Sequence, residues 1–301
     1  MLAASTCYLV RSRRHVRALL VASLFGCGVV PAFAGQGGAA ADQSAGEQLQ
    51  SKDPADADYD GLDYTRPQQS AETRLRFQTS SSPASQTDQE ALFLRLTTRV
   101  DLLDGWRLRL LGQAPFVDRE TTTPAPPNTT RDAGLGDSFV QADLSHSIDS
   151  HWAYGFGARL VAPTGGDSLG TGKWQIMPGF GVRYSFLEIG PDTFFVPVVR
   201  WAVSFAGDPA RRNINQPEIA PTFNLGLPQH WFFVLYPSND IRINFGDPVP
   251  GQTGRLFLPF DAAIGRNFTD RVTALLEFGV PIINDYPVYN FKTELRISVR
   301  F

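Results

Sequence analysis

The chain has 301 residues, a formal net charge of −3 and 19% charged side chains, with 22 phenylalanines and five tryptophans. Its two cysteines, Cys7 and Cys27, both stand near the start, which excludes a disulfide framework or a cysteine metal site in the remainder. No basic tract stands outside the N-terminus, so nucleic acid is excluded as a partner.

The first stretch carries Arg11, Arg13, Arg14 and Arg17, then an apolar run over 18–30 too short to cross a bilayer, then Ala32-Phe33-Ala34. A basic region, a short apolar core and a small-x-small site predict a Sec signal peptide over 1–34. A lipoprotein reading at 24–27 is weaker, because Phe25 is bulky and Cys27 is followed by apolar residues. Removing the leader takes four arginines with it and moves the charge from −3 to −7. Residues 35–70 follow, with Asp42, Glu47, Asp53, Asp56, Asp58, Asp60 and Asp63 against Lys52 and Arg66. With so few apolar side chains this segment is expected to be disordered or a loosely held plug.

From Ala71 onward no helical period is convincing, whereas polar–apolar alternation recurs in about twelve runs. They lie near 72–80, 90–100, 105–116, 134–146, 151–163, 173–187, 193–206, 216–226, 231–245, 255–266, 271–283 and 289–301. Most exceed the roughly nine to eleven residues that span a membrane at a tilt. In "KWQIMPGFGVRYSF" the set Trp174, Ile176, Phe180, Val182, Tyr184 alternates with Lys173, Gln175, Gly179, Gly181, Arg183. In "HWAYGFGARLVA" the second face is small residues plus Arg159, and "RVTALLEFGVPI" alternates in the same way. A face of small residues and single charges suits a crowded lumen better than a solvated surface. The fold expected is therefore all-β: a transmembrane antiparallel β-barrel of about twelve strands over residues 71–301. The alternative is a soluble two-sheet sandwich with unusually long, aromatic strands.

The connections alternate in length, blurred only at 187–192 and 284–288. Long ones, such as 80–88, 117–134, 163–172, 207–216 and 246–254, alternate with short ones such as 101–104, 147–150, 227–230 and 267–270. Short periplasmic turns and long outer loops are the habit of outer-membrane barrels, and an even strand number leaves both termini periplasmic. Trp106, Trp152, Trp174 and Trp231 stand at strand starts, where amphipathic rings meet headgroups; Trp201 fits less well. The last run, "NFKTELRISVRF", alternates to a terminal Phe301, a pattern of barrels read by the insertion machinery. Bacterial outer-membrane lipids and that machinery are thus expected partners.

The wet register carries the candidate site. Arg95, Arg99, Arg159, Arg183, Arg271, Glu277, Lys292, Glu294, Arg296 and Arg300 are expected to line a lumen and its constriction. Arg107, Arg109, Lys173, Arg200, Arg242, Asp143, Asp240 and Asp261 share that register. Two readings stay open: an ionic network that fills the barrel, or a cation-rich constriction selecting anionic or polarisable aromatic solutes. Catalysis is not expected. A lipid hydrolase would need a serine and an orienting group beside His146, His151 or His230, all at short turns. No metal spacing appears, no cofactor is expected, and "GGDSLGTGK" lacks the spacing of a phosphate loop.

"DGLDYTRPQ" at 60–68, "GLGDSFVQADL" at 134–144, "APTGGDSLGTGKWQIMPGFGVRY" at 162–184, "LGLPQHWFFVLYPS" at 225–238 and the last two strands resemble a bacterial outer-membrane family. It is labelled "Putative MetA-pathway of phenol degradation" and often called simply a transporter. The resemblance implies passage of small hydrophobic or aromatic compounds, and it transfers no functional residues. The expected function is passive passage of small solutes. The alternative is a filled structural barrel, or one that binds surfaces through the Thr/Pro-rich stretch 117–134.

Overall fold

The computed structural model of the chain describes residues 62–301, except residues 83 and 191. The expected leader and residues 35–61 lie outside the described residues. Strands β1 (Ser70–Ser82), β2 (Ser85–Asp101), β3 (Trp106–Pro124), β4 (Pro127–Leu135), β5 (Ser138–Ser147), β6 (Trp152–Ala162) and β7 (Lys173–Ser185) form the first half. The second half is β8 (Phe194–Gly207), β9 (Asn215–Gly226), β10 (Trp231–Leu235), β11 (Ile241–Ile243), β12 (Leu256–Asn267), β13 (Val272–Asn284) and β14 (Phe291–Arg300).

All pairs are antiparallel, and β1 pairs β14 from Ser70↔Arg300 to Thr79↔Phe291, which closes the sheet. Both β4 and β5 pair with β3, and both β10 and β11 lie between β9 and β12, so each couple is one broken stave. The barrel therefore has twelve staves, close to the boundaries that alternation predicts. Closure removes the edges of the twelve staves, while the exposed β4 arm pairs with β3 alone and keeps a free edge.

Burial is inverted relative to a soluble protein. On β14, Lys292, Glu294 and Arg296 are 1%, 0% and 3% exposed, whereas Leu295, Ile297 and Val299 are 38%, 44% and 43% exposed. The same inversion runs along β7, where Lys173, Gln175 and Arg183 are buried and Trp174, Ile176 and Phe180 are exposed. Only an apolar surrounding makes such an exterior favourable, and a soluble sandwich would bury the opposite face. Aromatic residues gather at the short-turn end: Trp106 packs with His146, Tyr154 and Phe156, while Tyr184 packs with His151, Trp152 and Phe186. Trp201, the least regular in sequence, stacks on Phe245 on the long-loop side.

Two segments expected as loops are strand. Residues 80–88 continue the β1–β2 hairpin to Ser82↔Ser85, and 117–134 form the β3–β4 hairpin closing at Pro124↔Pro127. Hydroxyl residues pair across them, as in Thr87 with Thr121 and Thr122 with Thr129, both at 3.2 Å. Threonine favours strand, but these extensions are polar on both faces, so no apolar period marks them.

Two of the stretches that carry the resemblance meet in one loop clamp. Asp137 of "GLGDSF" accepts the N–H of Gly165 at 3.1 Å and of Thr171 at 2.6 Å, plus the Thr171 hydroxyl at 2.6 Å. A Cβ on Gly165 would fall 2.6 Å from the Gly170 Cα, so glycine is required where the loop 163–172 crosses itself. At the other end, the turn 148–151 is held by Asp149, which accepts the N–H of Trp152 and His151 at 2.7 and 2.8 Å. Those two backbone donors hold the Asp149 carboxyl below the usual carboxylate range.

Candidate functional site

The inward residues of β1 step through three chambers of the interior at a period of two, about 7 Å per step. Gln78 and Ser80 line a loop-end vestibule of about 510 Å³, walled by serine, threonine and glutamine with Arg119 and Arg212. Arg74 and Arg76 line a middle chamber of about 230 Å³. Ser70 and Glu72 line a smaller space of about 40 Å³ at the short-turn end, with Pro67, Gln68 and Arg300.

One wall of the interior is a compact ionic network. The Lys292 ammonium contacts Asp240 and Glu277 and lies 3.1 Å from Asp261. Arg296 donates to Glu294 at 2.6 Å and to Ser238 at 2.8 Å, and also meets Glu277. Arg76 donates to Glu294 at 2.6 Å, and Arg74 to Glu72 at 2.5 Å. Ionised groups this deep cost several kcal/mol each unless paired, and here each has at least one partner. The carboxylate oxygens of Asp240, Asp261 and Glu277 lie within 4.8 Å of one another, a spacing that suits a cation. The Lys292 ammonium fills that place.

Asp240 and Ser238 reach this network because the stave breaks. Tyr236 takes φ +52°, and Pro237 has no N–H for a ladder, so residues 236–240 leave the sheet between β10 and β11. Asn239 reaches across to donate to the Val198 carbonyl of β8 at 3.4 Å. A continuous strand over 231–245 was expected. The turn-forming run "YPSND" is the signal against it.

The opposite wall is composed differently. Arg109 donates two N–H groups to Asp143 Oδ2 at 2.8 and 2.5 Å. Arg95 donates twice to Gln113 at 3.0 and 2.7 Å and lies 3.4 Å from Glu72. Arg159 donates Nε–H to Gln141 at 2.9 Å with its guanidinium 3.9 Å over the Phe139 ring. Among the described residues, neither Arg159 nor Arg200 forms an ion pair.

Residues 62–69 lie inside the barrel. Asp63 turns this segment by accepting the Thr65 N–H at 2.8 Å and its hydroxyl at 2.6 Å. Its other oxygen lies 3.6 Å from Arg66 and 3.5 Å from Arg183. Arg66 also donates to Ser185 at 3.3 Å. The Tyr64 ring lies on the bare wall left by Gly155 and Gly181, which face each other across β6 and β7. A Cβ at those positions would come within 2.6 and 2.4 Å of Tyr64 atoms, so the glycines make its seat. Leu62 and Tyr64 join an apolar cluster with Phe194, Val196 and Val198.

The expected lumen residues thus separate into groups. Glu277, Lys292, Glu294 and Arg296 form one network, Arg95 and Arg159 face it, and Arg183 is buried beneath Asp63. Arg99 stands near the short-turn rim, 2.7 Å from Asp101, and Arg300 lines the small end chamber. Arg271 is a correction: it is exposed in the turn before β13, because that strand starts one residue later than alternation suggests. Sequence reasoning passed over Arg74, Arg76 and Tyr64. The alternation of "ETRLRF" marks the first two, and nothing local marks the third.

Residues 66–194 match the family model described as "Putative MetA-pathway of phenol degradation", so the resemblance read from the sequence stands over that stretch. Both loop-clamp motifs fall within it. No curated protein matches the chain. Among solved structures, a KdgM porin is similar at 9% identity and TM-score 0.44, covering 77% of this chain and 99% of that one. A NanC porin is similar at 14% identity and TM-score 0.45, covering 77% and 98%. The beta domain of the Bordetella autotransporter Brka is similar at 12% identity and TM-score 0.49, covering 78% and 100%. Nothing about a solute follows from these likenesses.

Proposed function

We propose that the chain is an outer-membrane channel for passive passage of small solutes, aromatic ones among them, without cofactor, metal or catalysis. The observation that carries it is the line of three chambers along the inward face of β1, in a closed barrel with an apolar exterior. A merely structural barrel would gain more from a packed interior than from arginine-walled space. In this reading a leader exports the chain, the insertion machinery seats it in outer-membrane lipid, and both termini face the periplasm. Of the acidic segment 35–70, Ser70 opens β1 and residues 35–69 act as a plug, with 62–69 docked inside the barrel.

Planar-bilayer recording of the purified full chain tests the proposal. Discrete conductance steps are expected, and a silent, non-leaky barrel would overturn it. Larger steps after deletion of residues 35–69 are expected of a plug; unchanged steps would remove that role. A second reading draws on the wholly exposed β4 arm of the hairpin, which suits a surface-binding protein. A conducting barrel whose hairpin can be deleted without loss would remove it.

A further inference from the structure

The middle chamber holds more positive charge than it compensates. Eight arginines line it, against Glu218 and Asp240. Arg74, Arg76 and Arg296 are answered by Glu72 and Glu294, and Arg242 by Asp240 at 3.3 Å. Among the described residues Arg159 and Arg200 have no carboxylate within ion-pair distance, although Glu218 stands across the ladder from Arg200. Gln141 supplies Arg159 with an oxygen dipole rather than a counter-charge, and among the described residues no hydrogen-bond partner takes its two terminal amino groups. Guanidinium groups gathered in a partly desolvated space repel one another and favour a bound anion.

The chamber also presents rings, each beside an arginine. Arg159 lies 3.9 Å over Phe139, Arg76 lies 4.8 Å over Phe93, and Arg109 lies 5.9 Å from the Tyr64 ring centre. A guanidinium stacked by its face keeps its N–H edge free for the two oxygens of a carboxylate. The half-buried Phe93 ring and the edge of the buried Phe139 ring border the chamber beside those arginines, and such ring surface accepts an apolar ring. The chamber's volume of about 230 Å³ lies below the roughly 300–1,000 Å³ of drug-sized pockets, which limits a ligand to about one ring. Among the described residues that line the vestibule none is a carboxylate, so this lining does not repel an anion.

The geometry points to the middle chamber as a binding site for a small aromatic monocarboxylate. Its carboxylate meets Arg159 and Arg200, and its ring lies against Phe139 and Phe93. This deepens the channel reading and rests on it only for the claim that the bound ligand goes on to cross.

Calorimetric titration of the full chain, folded in neutral detergent, tests the site with benzoate, benzyl alcohol, benzylammonium and acetate. Benzoate is expected to bind at least about tenfold more tightly than benzyl alcohol or acetate, and benzylammonium not to bind. The pair R159Q and R200Q is expected to weaken benzoate at least about tenfold. R131Q, on the exposed hairpin, should leave it unchanged. Benzoate binding no tighter than benzyl alcohol overturns the anion half, and acetate matching benzoate overturns the ring half. If the double variant fails to fold, the ligand series on the unaltered chain still decides. A conducting barrel that ignores benzoate would sink the site and spare the channel; a silent barrel that binds benzoate would do the reverse.

Discussion

On the wall built from β12, β13, β14 and β1, Lys292, Arg296, Arg74 and Arg76 meet Asp240, Asp261, Glu277, Glu294 and Glu72. Across the lumen, Arg159 on β6 meets the Gln141 amide oxygen and the Phe139 ring, and neither it nor Arg200 on β8 has a carboxylate in ion-pair reach among the described residues. The first wall has satisfied its charges internally and so behaves as core. The second keeps its charge available to whatever enters. A barrel interior can thus be half structure and half binding surface, with the division running lengthwise rather than by depth.

Lys292→Met probes the first wall most severely. It leaves three buried carboxylates around an apolar side chain, and a loss of about 3–5 kcal/mol is expected. Urea unfolding of the folded barrel in detergent measures it. Adding Asp240→Asn, Asp261→Asn and Glu277→Gln to that change should recover stability to within about 1–2 kcal/mol of the parent, because the desolvation cost leaves with the charges. No recovery would mean that packing, not charge balance, holds this wall.

Tyr64→Ala acts between the walls. A loss of about 2 kcal/mol is expected, at the low end for a large-to-small change because lumen water refills the space. Single-channel conductance should rise if the segment at 62–69 obstructs the path. The smallest stability effect belongs to the second wall: R159Q with R200Q should change unfolding by less than about 1 kcal/mol, since no ion pair is broken. The same variant should lose anion preference, read as a reversal potential moving toward zero in a salt gradient. Strong destabilisation by this pair, or unaltered selectivity, would erase the distinction between the walls.

Alternation at period two, the staves it marks and the apolar exterior were all legible in the sequence, because each is a local property of a strand with two different environments. The hairpin extensions were not, since a ribbon wet on both sides carries no such period. Lumen candidates could be identified by register, yet register placed Arg271 inside, and Arg74 and Arg76 were passed over although the alternation of their strand marks them.

Which charge answers which was decided only by closure of the barrel. Lys292 meets Asp240 and Asp261, 52 and 31 positions away in the chain, and Arg74 meets Glu294 at a separation of 220. Those meetings depend on stagger and on the inward break at 236–240, which no window of sequence contains. Tyr64 is the sharpest case: the glycines that seat it follow about a hundred residues later, and each pattern reads as ordinary on its own. Local sequence sets what each strand shows to its two sides; only the cylinder sets what faces what across the inside.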